Sequence, residues 1–150
     1  MITCTITDAR RIACVITGDG MSCNTNGLIT IVRGESASLD LAFTTQNADG
    51  VEVPLNISGA TVHFRVKRIP GNPADPVVIR KATGSGIVHA PQSGGSLGRA
   101  TLTLAPADTD GTPPVAPGLY WFEVRILEAS GFTRAARRGQ FKVEGEVVDL

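Results

Sequence analysis

The fold of this chain is indicated by residues 118–127, GLYWFEVRIL, which precede the turn EASG at 128–131 and the segment FTRAARRGQFKVEG at 132–145. Successive side chains of a β-strand point to opposite faces, so alternating apolar and polar residues indicate a half-buried strand. Here one parity is apolar and the other is mixed; the first comprises Tyr120, Phe122, Val124 and Ile126, and the second Trp121, Glu123 and Arg125. Ser130 and Gly131 supply a turn, and the segments 132–136 and 139–143 are predicted to run back antiparallel.

Length and composition predict a single domain with its own hydrophobic core. The chain has 150 residues, of which 42% are apolar and 19% charged, a composition of neither a disordered nor a membrane-spanning chain. A chain of this size buries roughly 68 to 70% of the surface that it exposes when unfolded. Its 17 glycines and 9 prolines lie between short apolar runs, which indicates many turns and an all-β domain.

The charge balance argues against nucleic acid and membrane partners. Fourteen basic residues offset fourteen acidic ones, which removes the long-range attraction that such binders use. Two local basic clusters exist, at 65–68 and at 134–138, and we interpret both as solvated strand faces and hairpin ends, with a phosphate site as the alternative. We therefore expect neither nucleic acid nor membrane among the partners.

The N-terminus is predicted to form a separate unit, residues 1–26, ahead of a sandwich domain at 27–150. All three cysteines, Cys4, Cys14 and Cys23, lie within it. Residues 2–7 and 11–17 alternate and are rich in β-branched side chains, which predicts a β-hairpin or arm. Residues 1–18 have no apolar run long enough for a signal peptide, so we expect a cytoplasmic protein with reduced thiols; a disulfide formed after lysis is the alternative.

The remainder of the chain predicts an immunoglobulin-like antiparallel β-sandwich. We count about eight or nine short strands at roughly 8 to 12 residue spacing, with almost no helical periodicity. Residues 47–50 form a strong hairpin signal, and 69–76, with three prolines, should be an exposed loop. Residues 91–98 are expected to be a mobile loop and 105–109 a single helical turn. Tyr120, near the start of a late strand, could form a tyrosine corner.

Several blocks resemble the immunoglobulin-like domain at the N-terminus of phage baseplate upper proteins and in related small tail and virion proteins. They are RGESASLDLAF (33–43), NADGVEVPLNISGATVHFRVK (47–67), ATLTLAPADT (100–109), PGLYWFEVRILEASG (117–131) and GQFKVEG (139–145). The chain departs from the family pattern between Leu55 and Gly59, where it has two additional residues. The resemblance covers residues 28–145 and implies a building block that docks on other virion proteins, with no catalytic residues to transfer.

No motif indicates catalysis or a cofactor. The three cysteines with His63 or His89 could supply four zinc ligands, but the Cys-x-x-Cys spacing of a zinc knuckle is missing. Residues 108–111 resemble a fragment of a calcium loop without its closing glutamate, and turn formation explains them better. Neither histidine lies in a recognisable nucleophile motif. We therefore expect no enzyme activity, no metal and no cofactor.

The expected function is that of a bacteriophage virion structural protein, a tail, baseplate or capsid-decoration component assembled in the host cytoplasm. It would dock on other virion proteins through strand edges and the N-terminal arm, as part of a symmetric oligomer in the particle. Candidate partner-binding residues are Cys4, Cys14, Cys23 and Trp121. If the Tyr120 row faces the core, Trp121 is left on the outer face; otherwise it belongs to a core covered on both sides. The alternative function is a receptor- or carbohydrate-binding module of a phage tail.

Overall fold

A computed structural model describes residues 2–7, 12–19, 22–23 and 28–145. Within these ranges the chain forms twelve strands, a short 3₁₀ turn at Gly94–Ser96 and one helical turn, α1, at Pro106–Thr109. The strands are β1 (Ile2–Thr7), β2 (Ile12–Asp19), β3 (Ser22–Cys23), β4 (Leu28–Val32), β5 (Ala37–Gln46), β6 (Glu52–Pro54), β7 (Thr61–Lys67), β8 (Val77–Thr83), β9 (Gly86–His89), β10 (Arg99–Leu104), β11 (Gly118–Leu127) and β12 (Thr133–Glu144). The described residues contain no helix with the length and apolar character of a membrane span.

The strands form the two layers of an immunoglobulin-like sandwich, as predicted. One layer has the order β1-β2-β5-β10-β9, with β6 also paired to β5, and the other has the order β8-β7-β11-β12-β4-β3. The layers are continuous at a corner where β8 and β9 share two residue pairs. Most neighbours are antiparallel, whereas β4 runs parallel to β12 and β8 runs parallel to β9. Strands from both layers contribute to one hydrophobic core.

The alternating apolar rows predicted from the sequence form that core. Each row lies on the face of its strand that points toward the opposite layer, and that layer covers its side chains. Phe64 lies at the centre of an aromatic cluster, with its ring centroid 5.8 Å from that of Phe122 and 6.2 Å from that of Phe141. The buried rows are Leu39, Leu41 and Phe43 in β5; Val62, Phe64 and Val66 in β7; Ala100, Leu102 and Leu104 in β10; and Tyr120, Phe122, Val124 and Ile126 in β11.

A tyrosine corner stands at the start of β11, as predicted. The Tyr120 ring is buried, and its hydroxyl donates a hydrogen bond of 2.6 Å to the Ala116 carbonyl oxygen four residues earlier. This bond ties the loop after α1 to the strand that follows it. Together with the strand order, it supports the immunoglobulin-like assignment.

The N-terminal strands form the predicted β-hairpin, and the second of them joins the sandwich. Strands β1 and β2 pair antiparallel, and β2 pairs with β5 along its whole length, from Ile12 to Asp19. Cys14 and Ile16 belong to the core cluster. Residues 18 and 19, which follow the second predicted strand, form the end of β2, and residues 20 and 24–27 lie outside the described residues. A domain boundary at residue 26 stays a prediction.

Two details of the backbone were not predicted, and the mobility expected for the 91–98 loop stays a prediction. The 91–98 loop has a polar anchor, since Gln92 Oε1 accepts hydrogen bonds of 3.0 Å from the backbone nitrogens of Ile57 and Gly98. Gly98 has φ of +80°, and a Cβ there would lie 2.6 Å from the Phe43 carbonyl oxygen, so only glycine fits. In β12, a bulge follows the Arg125–Ala135 pair, because Val124 pairs with Arg137.

The bulge overturns the interpretation of the 134–138 basic cluster as a uniformly solvated face. Opposite Val124, which points into the core, Arg137 is turned inward and is 2% exposed. Its neighbour Arg138 points outward and is exposed. An extra residue in one strand switches the face to which every later side chain of that strand points, and the sequence does not show where that residue is.

Candidate functional site

The outer face of the second layer holds a groove with a volume of about 1040 Å³. Strands β7, β11 and β12 form its floor, and Pro70 and Gly71, from the exposed proline-rich loop, form part of its wall. The polar and aromatic side chains on its floor come from the outward parity of three strands. They are His63, Arg65 and Lys67 from β7, Trp121, Glu123 and Arg125 from β11, and Thr133, Arg138 and Gln140 from β12.

Cross-strand pairing arranges these outward side chains in rows. Trp121 lies between Lys67 and Gln140, because it pairs with both. Two residues further along β11, Glu123 pairs with Arg65 and Arg138, and Arg80 of β8 extends that row beyond Arg65. Arg125 and His63 form the next row. Residues two apart on a strand are separated by about 6.6 Å, so neighbouring rows can contact one ligand.

Glu123 holds two of the cations in fixed positions. Its Oε1 accepts a hydrogen bond of 2.6 Å from Arg125 Nε, and its Oε2 accepts one of 2.5 Å from Arg138 Nε. Partial burial opposes ionisation of Glu123, but the two arginine hydrogen bonds outweigh it and lower the pKa of the carboxyl group. The carboxylate is therefore ionised at neutral pH and orients both guanidinium groups.

The groove carries excess positive charge. Glu123 is the only carboxylate among the described residues that line it, against Arg65, Lys67, Arg125 and Arg138. Arg65 also stands directly opposite Arg80, and like charges in that position repel each other. Burial, with the nearby Arg65 and Arg80, lowers the pKa of His63, which leaves that ring neutral at neutral pH.

Trp121 lies on the outer face of β11, on the side that the parity of the Tyr120 row predicted. Its side chain is 38% exposed and lines the groove. The alternative placement, in a core covered on both sides, is therefore wrong. An exposed aromatic ring beside cations and an amide is typical of a contact surface, while a binding role for Trp121 stays a prediction.

Cys14, the predicted cysteine site whose side chain the structure describes, does not line this groove. The Cys14 side chain is 0% exposed, and burial, partly offset by Arg137 and a backbone hydrogen bond from Ala42, raises the pKa of its thiol to about 12. A buried neutral thiol offers a partner no contact from this position. The side chains of Cys4 and Cys23 lie outside the described residues, and the binding roles predicted for all three stay predictions.

The two histidines have different surroundings. His63 lines the groove, whereas His89 Nε2 lies 2.9 Å from Thr83 Oγ1. Across the part of the chain that the structure describes, no three His, Cys, Asp or Glu side chains are grouped closely enough to hold a metal ion.

The row formed by Arg65, Glu123 and Arg138, with Arg125 beside it, was not predicted from the sequence. The outward direction of His63, Arg65 and Lys67 follows from the alternation in β7. Their meeting with Glu123 and Arg138 depends on which strands are neighbours, and Arg125 was assigned only to a polar face. The signal available in the sequence was the shared outward parity of charged residues in three separate strands.

Comparison with known proteins identifies distant structural similarities. No protein-family model and no curated protein matches the chain. The soluble domain of PmoD from Methylocystis sp. is similar over 94% of this chain and 98% of its own, with 14% identity and a TM-score of 0.45. Murine CRIg is similar over 89% of this chain and 98% of its own, with 10% identity and a TM-score of 0.37.

Proposed function

We propose that this protein is a bacteriophage virion structural protein, a tail, baseplate or capsid-decoration component that docks on other virion proteins through a strand edge. The observation that supports this proposal best is the position of β1. It ends the strand order of its layer, and no described strand pairs with its outer edge. Its six residues, ITCTIT, include no charged residue and no proline.

An edge of this kind is a site for strand addition. Its outward N–H and C=O groups form a ladder that a strand from a neighbouring protein can complete. Soluble proteins usually protect such edges with charge, proline or short length. The other described edges of this sandwich have that protection, since β3 has two residues, β9 has four, β6 is the short segment Glu52-Val53-Pro54, and β8 carries the charged residues Arg80 and Lys81. Strand β1 therefore stands out as the docking edge.

The remaining parts of the proposal follow from a role in an assembled particle. A sandwich with an unprotected edge among its described strands fits a repeated subunit, because identical copies can each dock in the same way in a symmetric oligomer. The site of action would be the virion, after assembly in the host cytoplasm. The resemblance of residues 28–145 to phage baseplate immunoglobulin-like domains supports this role.

Incorporation into particles tests the proposal, and β1 must be altered without removing β2. A deletion of residues 1–26 would also remove Cys14 and Ile16 from the core. Proline substitutions in β1 avoid this problem. Backbone N–H groups along an antiparallel strand point alternately toward and away from the neighbour, so one of Cys4→Pro and Thr5→Pro removes an outward donor and the other a donor to β2.

The two proline variants serve as controls for each other. Tagged protein is expressed in cells that produce the particles, and gradient-purified particles are probed for the tag. The variant that removes the outward donor should keep the stability of the parent and be incorporated about tenfold less. Parental incorporation of both variants would show that β1 is not the docking edge.

A further inference from the structure

We propose that the groove over β7, β11 and β12 binds an acidic polysaccharide, with Trp121 as the platform for a sugar ring and the flanking arginines as ligands for its carboxylates. This site is distinct from the β1 edge, which belongs to the other layer. The proposal therefore goes beyond strand docking, and either can fail without the other.

The excess positive charge of the groove favours an anionic ligand. Arg125 and Arg138 each use Nε to bind Glu123, and no described group pairs with their terminal nitrogens. Those nitrogens can bind a carboxylate in a two-pronged arrangement. Arg65 has no carboxylate partner within ion-pair distance among the described residues and is repelled by Arg80 across the strand. An incoming carboxylate would relieve that repulsion.

Trp121 supplies what a purely electrostatic site would lack. The face of an indole ring is electron-rich and attracts the weakly positive C–H groups on one side of a sugar ring. Lys67 and Gln140 flank Trp121 in the same row and can hydrogen-bond to hydroxyl groups. The arginine row lies about 6.6 Å further along the strands, within reach of a carboxylate on the stacked sugar or on its neighbour.

The backbone in this region excludes a peptide bound by strand addition. Strand β7 is paired with β8 and β11, β11 with β7 and β12, and β12 with β11 and β4, so none of the three has a free edge. Recognition must therefore use side chains. The volume of about 1040 Å³ is slightly above the range for small-molecule pockets, roughly 300 to 1,000 Å³, which suits a few sugar units.

Fluorescence of the protein itself tests the proposal, because Trp121 is the single tryptophan of the chain. Emission is recorded during titration with polygalacturonate, neutral dextran and poly-L-glutamate. We expect a saturable change with polygalacturonate that weakens as salt is added, and none with dextran. Arg65→Gln and Arg138→Gln should each weaken binding about tenfold.

Matched variants outside the groove show whether binding depends on the groove residues or on any exposed charge or aromatic ring. Arg99→Gln removes an exposed charge from the other layer and should leave affinity unchanged. By calorimetry, Trp121→Ala should abolish binding, whereas Phe132→Ala, which removes an aromatic ring that is 66% exposed outside the groove, should not. Far-ultraviolet circular dichroism confirms that each variant is folded.

Three outcomes would overturn the proposal. Equal binding of poly-L-glutamate, unaffected by Trp121→Ala, would identify an acidic protein segment as the ligand. Equal binding of dextran would remove the role of the arginines. No saturable signal with polygalacturonate, in fluorescence and in calorimetry, would mean that the groove does not bind acidic sugars.

Discussion

Replacing Arg137 with methionine should stabilise this protein. The Arg137 side chain is 2% exposed, and none of its three guanidinium nitrogens has a hydrogen-bond partner among the described residues. Burial lowers the pKa of the guanidinium, although the nearby Cys14 acts in the opposite direction. The charged guanidinium therefore loses its hydration without gaining the hydrogen bonds that usually compensate for that loss.

The size of the effect follows from that missing compensation. A buried ion costs several kcal/mol even after the surroundings relax, and apolar side chains that replace buried ions stabilise proteins by about 1 to 4 kcal/mol. Methionine keeps most of the length of arginine and adapts to irregular space, so little cavity cost is subtracted. For a chain of this size each kcal/mol raises Tm by roughly 2 to 4 °C.

Urea unfolding at neutral pH, followed by circular dichroism, measures the difference directly. Arg137→Met should raise the midpoint without changing the slope, since the surface exposed on unfolding is nearly the same. The matched control is Arg99→Met at an exposed position in β10. It should change the free energy of unfolding by no more than about 0.5 kcal/mol.

A loss of more than about 1 kcal/mol in Arg137→Met would refute this reasoning, because it would mean that the guanidinium has a compensating partner. Arg137→Lys separates the remaining explanations. If positive charge alone is required, lysine should restore the stability, and if planar hydrogen bonding is required, it should not.

Three further predictions concern the corner tyrosine, the histidines and the buried thiol. Tyr120→Phe should cost about 1 to 3 kcal/mol in urea unfolding, because the Ala116 carbonyl loses its 2.6 Å hydrogen bond. His63 and His89 have folded pKa values lowered by burial from 6.5, so their contribution to stability is complete above that pH and is lost as pH falls through the folded values. Replacing both with glutamine should flatten the decline in Tm between about pH 7 and about pH 5. The Cys14 thiol, with its pKa of about 12, should react with a disulfide reagent near pH 8 only after unfolding, measured in a variant without the other two cysteines.

Features of this fold that depend on neighbours in sequence were predictable. The inward rows of β5, β7, β10 and β11 follow from period-two alternation, which is a local property of an extended chain. The hairpin at 47–50 follows from its turn residues, and Asn47 Oδ1 indeed accepts hydrogen bonds of 3.0 Å from the nitrogens of Asp49 and Val51. The tyrosine corner spans four residues and was predicted for the same reason.

Features that depend on pairing between distant segments were not predictable. The groove joins Arg65, Glu123 and Arg138 from three strands, and nothing in any one strand shows which strands are its neighbours. Pairing of β2 with β5 likewise places Cys14 in the core, although the cysteines suggested a separate unit. The bulge in β12 changes parity at one residue without a glycine or proline there to mark it.

That bulge explains why two adjacent arginines have opposite consequences. Beyond it, Phe141 and Val143 must face the core, so Arg137 shares their parity and is buried, while Arg138 faces the groove. Both positions hold an arginine whose charge is incompletely balanced, but only Arg138 lies where a ligand could balance it. Stability and binding should therefore respond independently: removing the charge at 137 should raise stability and leave polygalacturonate affinity unchanged. Removing the charge at 138 should weaken that affinity, with a stability loss limited to its exposed ion pair with Glu123, about 1 kcal/mol or less.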